Sequence, residues 1–148
     1  MLTVPTAQET FGSMMKDQIS PGLRTLGFKG SGQAFTLPDD GHFAQVGFQK
    51  STYSDSTAVR FTINVSVIPF DAWAEARLRK PYLPAKPSPS VLYGSPFWQK
   101  RLGQLLPGGE DTWWLVHAGQ DTTSVANEVV TAISTYVLPE MREQLDRA

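Results

Sequence analysis

The hydrophobic pattern is sharpest between Val59 and Ile68, where Val59, Phe61, Ile63, Val65 and Val67 alternate with Arg60, Thr62, Asn64 and Ser66. Successive side chains of a β-strand point to opposite faces, so this stretch predicts a central strand with one buried and one polar face. Upstream, Phe11, Met15, Ile19, Leu23 and Leu26 recur every three or four residues and predict an amphipathic helix over 7–26. Pro21 lies inside it and predicts a kink or break near Ser20, with Gly27 as the C-terminal cap. Residues 1–6 read as a loose end. A first strand is expected over 33–37, a turn at Pro38-Asp39-Asp40-Gly41, and a second strand over 42–51. In that second strand Ala44, Val46 and Phe48 take one face, and Gln45, Gly47 and Gln49 the other. A polar turn over 52–57 joins it to the central strand, completing an antiparallel meander.

Beyond the meander, residues 70–80 predict a short helix, with Asp71 near its start and Arg77, Arg79 and Lys80 at its end. Residues 81–96 form a proline-rich surface loop. Residues 97–105 fit a strand or a short helix; a strand is favoured because the Pro107-Gly108-Gly109 turn leads into the aromatic and β-branched run 112–117, a further strand. Val125, Val129, Val130, Ile133 and Val137 mark the last helix, opened by Asp121 as N-cap and interrupted by Pro139, with Met141 and Leu145 continuing the stripe. The expected fold is α+β: one two-layer domain over 1–148, its mainly antiparallel sheet of about five strands packed against two long amphipathic helices.

Composition narrows the chemistry. With 148 residues, 41% hydrophobic and 18% charged, the chain suits one globular domain with a real core. A net charge of −1 argues against a dedicated nucleic-acid binder. The absence of cysteine removes disulfides, thiolate metal sites and cysteine catalysis, and fits a cytoplasmic protein. No signal peptide and no membrane span are expected. His42 and His117 lack the spacing of a metal site, no nucleophile elbow surrounds any serine, and Gly47-Phe48-Gln49-Lys50-Ser51 lacks the glycine before lysine that a phosphate loop needs. No cofactor or metal is implied. Asp39-Asp40 and Glu110-Asp111 read as solvated turn carboxylates.

The order of Leu26-Gly27-Phe28-Lys29, Val46-Gly47-Phe48-Gln49-Lys50-Ser51 and Phe61-Thr62-Ile63-Asn64-Val65, followed by Arg101-Leu102-Gly103 and Asp111-Thr112-Trp113-Trp114, resembles the bacterial domain-of-unknown-function family 4304. The resemblance runs from about Phe11 to Leu145. It implies a small bacterial α+β domain and carries over no catalytic residues.

Candidate binding residues come from the sheet. Gln45, Gln49, Arg60, Thr62, Asn64 and Ser66 share one face, either a plain solvated surface or one that receives a ligand or partner. Trp113 and Trp114 are adjacent, so one enters the core and the other lies on the polar face or beneath a covering loop. Between residues 72 and 109, Arg77, Arg79, Lys80, Lys86, Lys100 and Arg101 stand against Glu75 alone, so anions or an acidic partner are drawn to any part of this zone that converges in space. The resulting expectation is a non-enzymatic binding or accessory domain, of immunity type by analogy. Its binding residues are Gln45, Gln49, Arg60, Thr62, Asn64, Arg101, Trp113 and Trp114, and its partner is a protein or a small polar or anionic ligand. The alternative is a small-molecule binder or enzyme with a pocket over the sheet face, roofed by the proline-rich loop. Neither nucleic acid nor membrane is expected as a partner, and the oligomeric state is not legible.

Overall fold

The central strand is longer than its alternation announced. In the computed structural model, which describes residues 3–147, it runs over Ala58–Pro69 (β4). One edge of β4 pairs with His42–Lys50 (β3) along nearly its whole length, Phe48 opposite Ile63 and Gln45 opposite Ser66. The other edge is shared end to end by Trp98–Arg101 (β5), which pairs with Asn64–Val67, and Trp114–His117 (β6), which pairs with Ala58–Phe61. Ala34–Leu37 (β2) lies beyond β3, and Lys29–Ser31 (β1) lies beyond β2. All pairings are antiparallel, and the six strands form one open sheet. The α+β class and the antiparallel sheet match the sequence reading; β1 is an addition to it.

Two long helices carry the expected apolar stripes. The first is Ala7–Met14 (α1), a π-helical stretch Met15–Ile19, and Ser20–Thr25 (α2). A reciprocal capping box opens it, Thr6 Oγ1 accepting from the Glu9 amide and Glu9 Oε1 from the Thr6 amide, both at 3.1 Å. Thr6 is thus a cap rather than part of a loose end, and Met1 and Leu2 lie outside the described residues. Gly27 ends the helix at φ +102°, with the Phe28 and Gly27 amides donating to Leu23 and Arg24 carbonyls, as a Schellman cap requires.

Of the kink or break expected near Ser20, the break does not occur. The helix widens by one residue per turn just before the proline, so that the Ser20 amide donates to the Met15 carbonyl. The C-terminal helix repeats the device: Thr123–Ala132 (α5), a π-helical stretch Ile133–Val137, then Leu138–Asp146 (α6) with Pro139 in its first turn and the Leu138 amide on the Ile133 carbonyl. A π-turn re-spaces the carbonyls that a proline ring would otherwise strike, so each helix continues past its proline. The N-cap of α5 is Thr122 and not Asp121; Asp121 stands one position before it, its Oδ1 accepting from the Thr123 amide at 3.0 Å.

Phe61, Ile63 and Val65 of β4 are buried in one core with Phe11, Ile19 and Leu23 of the first helix and Val129, Ile133 and Met141 of the last. Phe61 is its hub, 5.1 Å from the Phe11 ring, 6.1 Å from Phe48 and 5.7 Å from Trp114. Residues 97–105 divide. Trp98–Arg101 is strand, and Leu102–Leu105 turns into a short helix (α4). β6 begins at Trp114 and not at Thr112, because Thr112 Oγ and carbonyl turn to other partners.

Candidate functional site

The second face of the sheet is not the open polar surface that the alternation suggested. Gln45, Thr62, Asn64 and Ser66 are all at least nine-tenths buried. Phe70–Arg79 (α3) packs along β4, and Pro89 of the proline-rich segment is seated on Gly47 of the same face. Trp73 of α3 is buried, and its indole N–H donates to the carbonyls of Pro84 and Ala85 at 3.1 and 3.2 Å. Gln99 of β5 holds the far side of the segment, accepting from the Tyr93 amide and donating to the Val91 carbonyl, both at 2.8 Å. Gly47 explains the close seat: a Cβ there would meet Pro89 at 2.8 Å, so only glycine lets the segment touch the sheet. Beneath this cover Gln45 Oε1 and Ser66 Oγ, on residues directly opposite in the β3–β4 register, are buried without a protein hydrogen-bond partner among the described residues.

The cover stops short of the other end of the face, and there six of the eight candidate residues converge. Asn64 Nδ2 donates to Gln49 Oε1 at 2.8 Å, and Asn64 Oδ1 accepts from Arg101 Nε at 3.3 Å. Arg101 Nη1 reaches the Asp111 carboxylate at 3.2 and 3.3 Å, and the Trp113 indole N–H donates to Asp111 Oδ2 at 2.9 Å. The guanidinium carbons of Arg60 and Arg101 each lie 5.2 Å from the Trp113 ring centroid, within cation–π range. Thr62 donates to the Thr112 carbonyl at 2.8 Å and fixes the backbone that presents Trp113. Each member thus orients the next, from Gln49 through Asn64, Arg101 and Asp111 to Trp113.

Local structure puts these groups in place. Asn64 and Arg101 are direct partners in the β4–β5 register, so their side chains share a face. Arg60 lies opposite Leu115 of β6 on the same face. The segment carrying Asp111 returns tightly past α4: a Cβ on Gly103 would meet the Thr112 nitrogen at 2.7 Å and the Asp111 Cα at 3.0 Å. Glycine at 103 is therefore a condition of the site. The Trp113 and Arg101 contacts hold the Asp111 carboxyl below its usual value of 3.8, the indole hydrogen bond being the largest cause.

The two remaining candidates lie elsewhere. Trp114 is in the core, stacked on Phe61, so the adjacent tryptophans do take opposite faces as expected. Gln45 is buried opposite Ser66, away from the cluster. Asp111 is the functional residue that sequence reasoning missed. The available signal was its position two residues before a tryptophan with an indole donor and ten after an arginine at a strand end.

The basic zone does not act as a unit. Arg101 is committed to Asp111, Lys100 points to the opposite face of β5, and Arg79 pairs with Glu75 at 3.5 Å on α3. His42 accompanies Asp39 at 2.8 Å in the β2–β3 turn, and among the described residues no three His, Asp or Glu side chains converge. No described helix is long and apolar enough to cross a membrane.

No curated protein and no solved structure matches the chain. One family profile does, over residues 19–143, most of the length and including every member of the cluster, and the chain belongs to that family, described as a domain of unknown function (DUF4304).

Proposed function

We propose that the chain is a non-enzymatic binding domain whose working surface is the uncovered end of the second sheet face: Arg60, Trp113 and Arg101, with Asp111 at the edge. In this reading the two long helices form one layer against the sheet, and α3 with the proline-rich segment closes most of the other side. A cytoplasmic setting belongs to the same proposal, since a chain without cysteine needs no oxidising compartment.

The observation that carries the reading is the pre-ordered stack of two guanidinium groups on one half-buried indole. Tryptophan and arginine dominate binding hot spots, and side chains already fixed by neighbours lose little freedom when a partner arrives. Arg60 is exposed and has no carboxylate within salt-bridge distance among the described residues, so it offers a planar fork to an incoming carboxylate. Exposed Leu115 beside it adds apolar area. A protein partner fits this mixed aromatic and charged surface better than a small substrate does. Three clefts elsewhere on the surface are lined by other residues, and Pro89 occupies the space in which a roofed pocket over Gly47 would lie.

The test is cross-linking from inside the surface. A photoreactive residue at Leu115 is expected to label a partner in cells of the native host, and labelling is expected to vanish with Arg60→Glu or Trp113→Ala. A cross-linker at Tyr53, also exposed but outside the cluster, serves as control. Labelling that survives both substitutions would place the working surface elsewhere.

A further inference from the structure

A second surface lies where α3 ends and the proline-rich segment begins. Ala76 and Arg79 of α3, Lys80, and residues from both ends of the segment line a cleft of about 520 Å³. Its walls carry exposed apolar side chains: Tyr82 is 79% exposed, Leu92 68% and Val91 46%. Its floor is fixed, because Tyr93 and Phe97 pack on the buried Trp73 with ring centroids 4.8 and 5.8 Å away. Its charge is one-sided. Arg79 and Lys80 line it, and no Asp or Glu among the described residues does. Arg79 makes only a 3.5 Å contact to Glu75, between side chains that are 71% and 69% exposed, and such a pair exchanges readily for a better partner.

We propose that this cleft docks an acidic segment of a partner protein that carries an apolar side chain. Exposed apolar side chains around a concave, pre-formed cleft mark a site of association rather than a solvated loop. Two cations without a carboxylate in the lining select the sign of the charge, and the apolar walls select a segment with an aliphatic or aromatic anchor over a bare anion. This surface is separate from the Arg60 and Trp113 cluster, so the two proposals stand or fall independently.

The test is selection of random ten-residue peptides displayed on phage against the full chain, with counter-selection against a Tyr82→Ser plus Leu92→Ser variant. Both positions are exposed, so the variant is expected to melt with the parent. The recovered pool is expected to be enriched at least tenfold, rich in Asp and Glu, and to contain an aliphatic or aromatic residue in most members. A synthetic peptide from that pool is expected to bind at least fivefold more weakly to Lys80→Glu, to weaken as salt rises, and to bind Trp113→Ala as it binds the parent. A pool without enrichment over the counter-selected variant overturns the proposal, as does one that is neutral or basic. So does flotation of the chain with phosphatidylserine vesicles, lost in the Tyr82 and Leu92 variant, if no acidic peptide is recovered.

Discussion

Asn64→Ala and Arg60→Ala are expected to part company, although the two residues sit on one face of one strand. Asn64 is 8% exposed and makes two side-chain hydrogen bonds, one to neutral Gln49 and one from charged Arg101. Net values of about 0.5–1.5 kcal/mol for the first and about 1.5–3 kcal/mol for the second set the upper range. Gln49 and Arg101 are only half-buried and regain some hydration, which brings the loss to about 2 kcal/mol. For a chain of this length that is a fall of about 4–8 °C in melting temperature. Arg60 is exposed and its side chain contributes the contact with the Trp113 ring, worth no more than about 1 kcal/mol at such a site. Thermal melts followed by far-UV circular dichroism compare the two variants directly. A parental melting temperature for Asn64→Ala, or equal falls for both, would refute the division of this face into a structural interior and a free arginine.

Ile63→Ala is expected to cost about 2–5 kcal/mol, since Ile63 is fully buried between the sheet and both long helices; a chemical denaturation midpoint equal to the parent's would contradict the packing. Gly103→Ala forces the backbone at Asp111 and Thr112 outward and is expected to destabilise by about 1–3 kcal/mol, with Trp113 fluorescence shifting to the red; an unchanged spectrum would mean that the return past α4 is not what seats the indole. Because the folded Asp111 carboxyl sits below 3.8, its contribution is complete above that pH and is lost as pH falls through the lower, folded value. Acid titration of tryptophan fluorescence is therefore expected to show a step below pH 3.8 that Asp111→Asn abolishes; a step that persists in the variant would assign it to another carboxylate.

What the sequence disclosed follows from how directly a pattern implies its neighbours. The alternation from Val59 to Val67 needs only a buried face to make sense, and it located the central strand. The polar half of the same alternation was ambiguous, because Thr62, Asn64 and Ser66 suit water and a polar cover equally well. Gly47 in the middle of a strand was the residue that distinguished them, as a mark of close backbone approach. Pro21 and Pro139 were read by their local rule, which a π-turn of five residues sets aside in both helices. β1 escaped notice because Lys29-Gly30-Ser31 has no apolar alternation and is held by pairing with β2. Asp111 looked like any turn carboxylate, and its partners come from a strand end ten residues earlier and an indole two residues later.

In the proposed function a partner docks on Trp113, held by Asp111 and flanked by Arg60 and Arg101. Titration calorimetry of the purified, cross-linked partner against Trp113→Ala tests it most directly. Trp113→Ala, its fold intact by circular dichroism, is expected to lose at least tenfold in affinity, about 1.4 kcal/mol or more. Binding within twofold of the parent by that folded variant would contradict it.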